Sequence, residues 1–416
     1  MSDTLTFSAK FPARCRPGAE PSSASGEAVW KWIALAFTAY WALFITGAYA
    51  DRPDLNNIGG VIVLAVLGWA TLERLWVKLD AVAIACLAAA AIPLAGMAVS
   101  GEPVYPDAAV KHISLYLVMA VSRMLMLPAA SSAGIRRLLV PQIVLVLLLS
   151  FITDRGGVWD GGTRHSGLFI NPNNLALTAF LLLFFVDRRR DPMTLQISIH
   201  ALLIAVLAWS RTSGAVVAYG IGLALHFGAL LSRPWRLLAG TLLSMCGVAA
   251  LAVLAFTDQS LLPESRLTAQ ISVISTQLNT VLEGREVAYY EQERVLGPGS
   301  GSAIWRLAHW RRTIMTYAAG SPAQQLFGFG LGSSPVLLGK VPHNEYLRVL
   351  FEQGLAGLAL FGFAFIGIYK TAAPEVRYCA LIIAIYSFSE NNLENFPFMM
   401  LFVLCLSAVP ALRKTA

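Results

Sequence analysis

Pro342-His343-Asn344-Glu345-Tyr346-Leu347 closes the longest polar interruption of this chain, which extends over residues 257–341. A connection between two helices needs only a few residues, and insertions of this length are usually functional or disordered. Two amphipathic patterns argue against disorder. Apolar residues recur at helical spacing between 266 and 283, and a second helix is predicted over 302–319, from a serine N-cap to a stop at glycine and proline. The sequence therefore predicts a partly helical loop.

The composition of the whole chain is that of an integral membrane protein. The 416 residues are 56% hydrophobic and 13% charged, and the mean hydropathy is +0.63. About twelve segments are long enough to cross a bilayer as helices. They are residues 28–50, 58–76, 80–99, 108–127, 137–153, 170–186, 193–210, 212–231, 237–257, 343–369, 376–390 and 396–412. We therefore predict an all-α integral membrane protein of about twelve transmembrane helices with one large, partly helical outer loop.

The basic residues of the short loops predict the orientation. With the N-terminus inside, more of them fall in inner loops than in outer loops, as the positive-inside rule requires. Both termini are then cytoplasmic, and the net charge of +7 reflects this bias rather than nucleic-acid binding. The predicted organisation is a cytoplasmic N-terminal tail (1–27) without a signal peptide, transmembrane helices 1–9 (28–257), the outer loop (258–342), transmembrane helices 10–12 (343–412) and a cytoplasmic tail (413–416).

The cysteine, histidine and carboxylate patterns argue against a metal or a cofactor. Four cysteines lie in apolar segments and one in the N-terminal tail, so none is placed for a disulfide in an outer loop. The sequence has no Cys/His cluster of metal-ligand spacing and no Asp-x-Asp motif, and Glu291 and Glu293 fit a charged helix face. We therefore predict neither a metal nor a cofactor.

A glycine-rich outer segment precedes the sixth predicted span. Glycines let the backbone approach a ligand closely, and Asn171 or Asn173 can cap the helix that follows. The positive end of that helix, flanked by Arg155 and Arg164, would suit an anion. The alternative interpretation is a glycine-rich turn whose arginines are solvated.

Arg211 interrupts an apolar stretch at the outer end of the seventh predicted span, within Trp209-Ser210-Arg211-Thr212-Ser213-Gly214. A cation at this depth is costly unless it is paired or faces a wet cavity. One interpretation is a polar break between two spans that directs Arg211 at a ligand. The other is an arginine that extends to the lipid headgroups.

The second half of the long loop carries two further patterns. Arg306 and Trp310 lie four residues apart, on one face of the predicted helix 302–319. The later run Gly328-Phe329-Gly330-Leu331-Gly332 lacks the strand–helix context and the Lys-Ser/Thr pair of a nucleotide-binding loop. We interpret this run as a tight re-entry at the membrane surface.

His343 lies where the loop returns to the membrane, and it is predicted to cap a long helix. It is either a helix-end histidine or a catalytic base, and the company of the other motifs favours catalysis. Asn344 and Glu345 are adjacent to it and are candidates for orienting it or for contacting a substrate.

Together these motifs resemble the O-antigen ligase family, which shares a membrane fold with O-antigen polymerases and bacterial O-oligosaccharyltransferases. The resemblance covers roughly residues 150–370, and the predicted helices extend it to the whole chain. It is carried by Ser210-Arg211-Thr212, Arg306-x-x-x-Trp310, Gly328-Phe329-Gly330, His343-Asn344-Glu345-Tyr346-Leu347 and Glu352-Gln353-Gly354-Leu355. Their order, with one large outer loop between arginine and histidine, is specific to the superfamily, but it separates ligase from polymerase less well.

The resemblance implies a ligase that transfers a glycan from undecaprenyl diphosphate to a lipid A–core sugar in lipopolysaccharide biosynthesis. It implies a bacterial inner membrane location and an active site facing the periplasm, so that the large outer loop is periplasmic. The expected partners are the undecaprenyl-diphosphate-linked O-antigen donor, the lipid A–core acceptor and membrane lipids. The predicted catalytic residues are His343, Arg211 and Arg306, and the predicted substrate-binding residues are Arg155, Arg164, Asn171, Asn344, Glu345 and Trp310.

The chemistry fits these residue types independently. Displacing a diphosphate from an anomeric carbon needs charge on the leaving group to be stabilised, and arginine binds phosphate with a planar fork that stays charged. The attacking hydroxyl needs a base, and histidine has a reference pKa of about 6.5. Arginines in place of a divalent cation predict a metal-independent single displacement, which inverts the anomeric centre.

Other functions share some of these features. An O-antigen polymerase or a protein O-oligosaccharyltransferase of the same superfamily would use the same chemistry on another acceptor. A membrane transporter also suits about twelve spans with polar breaks. Against transport, we find no internal repeat between the two halves, and the polar residues cluster on one side rather than at the bilayer midplane.

Overall fold

The computed structural model describes much of the predicted membrane region and the end of the long loop. The described residues are 23–52, 54–74, 80–124, 129–153, 158–159, 164–169, 171–185, 192–228, 274, 276–284, 302–371, 374–392, 395, 398–399 and 401–402. Residues 1–22, Arg155, the predicted ninth span and most of the predicted twelfth span lie outside them.

The described residues are almost entirely helical. The first five helices are α1 (Ser23–Ala50), α2 (Asp54–Arg74), α3 (Ala81–Ser100), α4 (Pro106–Met124) and α5 (Ala129–Ile152). An antiparallel ribbon of β1 (Val158–Trp159) and β2 (Arg164–His165) pairs Val158 with His165. It precedes α6 (Pro172–Phe180), a 3₁₀ helix (Leu181–Phe185), α7 (Met193–Ser210) and α8 (Ser213–Gly228). The last helices are α9 (Ser302–Ala318), α10 (Pro322–Phe327), α11 (Ser334–Leu338), α12 (Glu345–Thr371) and α13 (Pro374–Tyr386).

The helices can be compared with the predicted membrane spans. Ten of the twelve predicted spans coincide with a helix, namely α1 to α8, α12 and α13. Among the described residues, four helices are long and apolar enough to cross a membrane: Lys31–Ala50, Ala81–Val99, Met193–Ser210 and Glu345–Lys370. The sixth predicted span is a short α-helix continued by a 3₁₀ helix. The chain is therefore a helical membrane protein, and the number of crossings stays a prediction.

One continuous hydrophobic core joins the helices. α1 packs against α2 and α5, α3 against α4 and α12, and α8 against α13. Large aromatic side chains fill the core, and each of the following is at most 1% exposed: Phe37, Tyr116, Phe180, Tyr219 and Tyr386. Burial of this apolar surface holds the helices in one arrangement. The packing brings the starts of α6, α8 and α12 and the ends of α7 and α13 to the same side of the bundle.

The long helix predicted over 343–369 is broken. α12 has a non-helical residue at Gly354, with φ 66° and ψ −168°, where only glycine is readily accommodated. The glycine run folds against this break: the backbone N–H of Phe329 donates to the carbonyl of Phe351 at 2.9 Å, and the two rings stack at 4.7 Å. Gly328 and Gly354 therefore approach each other backbone to backbone, and the re-entry at the membrane surface stays a prediction.

The second half of the long loop is ordered by local signals. α9 occupies Ser302–Ala318, which confirms the helix predicted over 302–319. Residues 276–282 are helical within the first predicted amphipathic segment, and Val281 packs on Ile304 of α9. α10 begins with a complete capping box, in which Ser321 and Gln324 each bond the other's backbone N–H. These elements hold α9 above the start of α12.

Candidate active site

His343 lies immediately before α12, in a left-handed backbone conformation with φ 50°. The helix cap is its neighbour Asn344, whose side chain accepts the backbone N–H of Leu347 at 3.1 Å. The prediction that His343 caps this helix is therefore wrong by one residue. Because Asn344 has taken over the capping, the imidazole of His343 is left available for other contacts, and 29% of the side chain is exposed.

A carboxylate that the sequence analysis did not select lies beside His343. Glu390 follows the end of α13, in a turn that also supplies the carbonyl of Ser387 to the N–H of Glu345 at 2.8 Å. The Glu390 Oε2 lies 3.4 Å from Nδ1 of His343, and its Oε1 accepts a hydrogen bond from Nη2 of Arg306 at 3.2 Å. One nearly buried carboxylate therefore bridges the predicted base and a predicted phosphate ligand.

α9 presents Arg306 and Trp310 to this site on one face, as their spacing predicts. The indole N–H of Trp310 donates to the carbonyl of Pro342 at 2.7 Å, so Trp310 fixes the chain just before His343. The Arg306 side chain is 24% exposed, and its Nε is buried without a hydrogen-bond partner among the described residues. Trp310 thus positions the segment that carries His343, while Arg306 retains one donor, Nε–H, that is not used.

An aromatic stack supports the other side of His343. The Trp305 ring meets His343 edge-on at 5.5 Å and stacks on His309 at 5.0 Å. Since a carbonyl can only accept, Nε2–H of His309 donates to the carbonyl of Lys340 at 2.9 Å. Burial lowers the pKa of His309, and the nearby cations Arg312 and Lys340 lower it further. His309 is therefore neutral, and it supports the Trp305 ring that packs against His343.

Arg164 belongs to a second group of residues on the same side of the bundle. Its guanidinium donates to Asn173 Oδ1 at 2.9 Å, to the carbonyl of Ser210 at 3.3 Å and to Thr212 Oγ1 at 3.5 Å. These contacts tie β2 to the start of α6 and to the α7–α8 turn.

The start of α6 is capped as predicted. The Asn171 side chain accepts the backbone N–H of Asn173 at 2.8 Å, and Pro172 occupies the first helical position. Asn171 is therefore occupied as a cap, while Asn173 is the partner of Arg164.

Arg211 forms the turn between α7 and α8. It adopts a left-handed conformation, with φ 46° and ψ 41°, and its side chain is exposed. The same turn contacts the Glu390 turn, since an added Cβ at Gly214 would lie 2.5 Å from Ser389 Oγ. The structure thus brings the Arg211 turn next to the turn that carries Glu390.

Glu345 lies in the protein interior rather than on the surface of the site. It is 1% exposed and lies 3.9 Å from Arg348, which also contacts the buried Glu352 at 3.4 Å. The network continues from Glu352 to Ser334 at 2.5 Å, and the neighbouring Gln353 contacts His112 at 3.2 Å. These contacts fix the first turns of α12, and a substrate contact for Glu345 stays a prediction.

Metal ligation can be examined only in the part of the chain that the structure describes. No group of three or more His, Cys, Asp or Glu side chains is arranged there to hold a metal ion.

A comparison with protein families adds an independent observation. Residues 199–362 match a family described as O-antigen ligase. This part of the chain is similar to O-antigen ligases. A search of curated proteins finds no match. The matched range runs from α7 into α12 and contains Arg211, Arg306 and His343, whereas Arg164 and Glu390 lie outside it.

Two residues outside the matched range therefore contact residues inside it: Arg164 contacts the α7–α8 turn, and Glu390 contacts Arg306 and His343. Glu390 was missed by the sequence analysis because it stood at the end of a predicted span. Its signal was nevertheless present, since a glutamate within Ser387-Phe388-Ser389-Glu390-Asn391-Asn392 makes a polar break between two apolar segments. An ionisable residue at such a break is a functional candidate by the same reasoning that selected Arg211.

Proposed function

We propose that this protein is an O-antigen ligase, a glycosyltransferase that moves a glycan from undecaprenyl diphosphate to a lipid A–core sugar. Its domain family and its apolar helices support a membrane enzyme of the O-antigen ligase and polymerase superfamily. The bacterial inner membrane and a periplasmic active site are part of the proposal. They follow from the distribution of basic residues and from the lipid-linked substrates that the family implies.

The leaving diphosphate is assigned to the arginines. Arg306 has a buried Nε without a partner in the described structure, next to the Nη2 that contacts Glu390. Nε and Nη2 form one edge of the guanidinium, which matches two phosphate oxygens. Arg164 in β2 contacts the α7–α8 turn that carries Arg211, and both arginines add positive charge as the diphosphate oxygen leaves. Charge aimed at a developing anion is the strongest contribution that such a site offers.

The acceptor hydroxyl is assigned to His343. Its Nε2 takes the hydroxyl proton while the oxygen attacks the anomeric carbon and forms the new glycosidic bond. The bond from that carbon to the diphosphate oxygen breaks, and its electron pair leaves with undecaprenyl diphosphate. The imidazolium then returns its proton to the released diphosphate or to water. One displacement inverts the anomeric centre and uses no metal.

A single observation carries this proposal. Arg306 on α9 and His343 before α12 meet the same carboxylate, Glu390, at 3.2 Å and 3.4 Å. A fixed cation and a base are therefore neighbours across one acidic group, although the three residues come from separate elements. A polymerase would show the same geometry, so the acceptor has to be established by experiment.

The decisive experiment is a reaction with purified components. The protein in lipid nanodiscs is given undecaprenyl-diphosphate-linked O-antigen and lipid A–core, and the products are separated by gel electrophoresis. Ligation yields lipopolysaccharide that carries the donor glycan. Growth of the lipid-linked chain alone identifies a polymerase, and transfer to a protein acceptor identifies an O-oligosaccharyltransferase.

The role of His343 is tested in the same reaction. We expect His343→Ala to fold and bind donor but to lose transfer by about 10²–10⁴-fold, which is the usual contribution of a positioned base. The matched control is His200→Ala, because His200 contacts Tyr219 between α7 and α8 at 2.7 Å and has no part in the proposed chemistry. A folded His343→Ala enzyme that ligates at close to the normal rate would remove the base from this mechanism.

A further inference from the structure

Glu390 holds two different partners with its two oxygens. Oε1 accepts from Arg306 at 3.2 Å and Oε2 faces His343 Nδ1 at 3.4 Å, while the whole residue is only 8% exposed. The partners come from α9 and from the segment before α12, and Glu390 comes from the turn after α13. Glu390 therefore contacts both the proposed phosphate ligand, Arg306, and the proposed base, His343.

The contact with His343 selects one form of the imidazole. An ionised carboxylate can only accept hydrogen bonds, so the ring nitrogen that faces it, Nδ1, carries the hydrogen. The other nitrogen, Nε2, then keeps the lone pair that a base needs. A distance of 3.4 Å is long for a hydrogen bond, and such catalytic contacts commonly tighten only when substrate binds.

The contact with Arg306 uses one of the two donor nitrogens that a phosphate would need. Nη2 donates to Glu390, whereas the neighbouring Nε is buried and has no partner among the residues that the structure describes. A phosphate that binds both Nε and Nη2 brings its negative charge to the nitrogen that holds the Glu390 Oε1, and the two anions repel each other. Donor binding and the Arg306–Glu390 pair are therefore in competition.

We propose that Glu390 is a positioning residue that couples donor binding to the base: the diphosphate displaces Glu390 from Arg306, and the released carboxylate closes on Nδ1 of His343. This inference rests on the proposed function, because it assigns the diphosphate to Arg306 and the base to His343. Glu390 then holds the imidazole of His343 fully only when the diphosphate of the donor is bound.

The other charged groups around His343 do not supply this coupling. On α9, His309 lies behind the Trp305 ring and bonds the Lys340 carbonyl. The ammonium of Lys340 lies over the outer face of Trp305, 5.4 Å from the ring centre. Among the described residues, Glu390 is the carboxylate that contacts both His343 and Arg306.

The first test measures donor affinity with undecaprenyl diphosphate as the probe, in nanodiscs. Glu390→Gln removes the charge that competes for Arg306, so the probe should bind equally well or up to about fivefold more tightly, the scale of a partly exposed ion pair. A residue with only a structural role would weaken binding when changed. If the Glu390→Gln variant binds the probe several-fold more weakly than the wild type does, the proposal is therefore overturned.

The second test measures turnover at saturating donor. In Glu390→Gln one carboxylate oxygen becomes an amide NH2, which cannot accept a hydrogen bond, and the neutral side chain no longer stabilises the imidazolium that forms on His343. We expect kcat to fall on the order of 10²–10⁴-fold, as for other carboxylates that orient a catalytic imidazole. Glu390→Asp keeps the charge on a shorter side chain, so it should retain more turnover than Glu390→Gln.

The control is Glu102→Gln, at a carboxylate that accepts from Gln324 at 2.6 Å in the turn before α4. It should leave both affinity and turnover near the wild-type values. Should Glu390→Gln fail to fold, Glu390→Asp decides: donor affinity held with turnover lowered supports the coupling, and an unchanged kcat refutes it. If the wild type forms no glycan product at all, the proposed function fails, whereas the affinity test of Glu390 still stands on its own.

Discussion

The break in α12 leads to a prediction whose size can be worked out from the structure. Gly354 has φ 66° and ψ −168°, and an added Cβ would lie 2.3 Å from the carbonyl oxygen of Leu326 and 2.6 Å from the backbone nitrogen of Gly328. Both neighbours are backbone atoms, so neither can rotate away. Backbone strain of about 1–3 kcal/mol and overpacking of about 1–3 kcal/mol then add to about 2–6 kcal/mol for Gly354→Ala.

Gly362→Ala is the matched control, because it lies in the same helix and an added Cβ there meets no atom within 4 Å. Replacing glycine in a helix interior by alanine should leave stability unchanged or raise it by about 1 kcal/mol. The assay is thermal unfolding of both variants and the wild type at one scan rate, since membrane proteins often unfold irreversibly. Transfer activity is measured in parallel.

We expect Gly354→Ala to unfold at a clearly lower temperature than Gly362→Ala and to lose activity with the displaced glycine run. The run is anchored beside the start of α12, so its displacement would disturb the segment that holds His343. If Gly354→Ala unfolds at the temperature of the control, the contact between Gly328 and Gly354 is not the constraint that we describe.

Four further predictions concern the site and its immediate surroundings. Arg211→Lys should impair transfer nearly as much as Arg211→Ala, because an ammonium group cannot reproduce a bidentate phosphate contact. Near-normal transfer by the lysine variant would show that positive charge alone suffices at this position. Arg306→Lys should behave in the same way, as measured by the initial rate at fixed donor concentration. Transfer should persist in excess EDTA, and loss of activity that magnesium or manganese restores would overturn the metal-independent assignment. The pKa of His309 is lowered in the folded protein, so its contribution to stability is present above the ordinary histidine pKa of about 6.5 and is lost as pH falls below that value. Hydrogen exchange in α9, corrected for intrinsic rates, should therefore rise on acidification in the wild type and less in His309→Gln; equal rises would exclude His309 as the cause.

The parts of the fold that depend on neighbours in the chain were predicted well. α9 lies within a residue of the predicted 302–319, because its serine start and glycine stop act locally. The cap at Asn171 was foreseen for the same reason. At His343 the cap was placed one residue too early, since His343 and Asn344 are both plausible by position and only the backbone geometry separates them.

The parts that depend on distant neighbours were not predictable. Glu390 lies 84 residues from Arg306 and 47 residues from His343 in the sequence, so no spacing rule connects them. The break at Gly354 was missed because an isolated glycine is tolerated in many helices, and here it is the close approach of the glycine run that decides the conformation. The burial of Glu345 likewise depends on Arg348 and on the packing of α12 against α3.

The left-handed backbone at His343 and Arg211 has a consequence for any attempt to improve this protein. Both residues hold conformations that cost a side-chain-bearing residue about 1 kcal/mol or more and cost glycine nothing, with φ 50° and φ 46°. A screen that rewards only thermal stability or expression would therefore favour glycine at the two positions where the chemistry is proposed to occur. Stabilised variants of this protein should be selected with a transfer assay in the same round. At these positions the residue that raises thermal stability differs from the residue that the proposed activity requires.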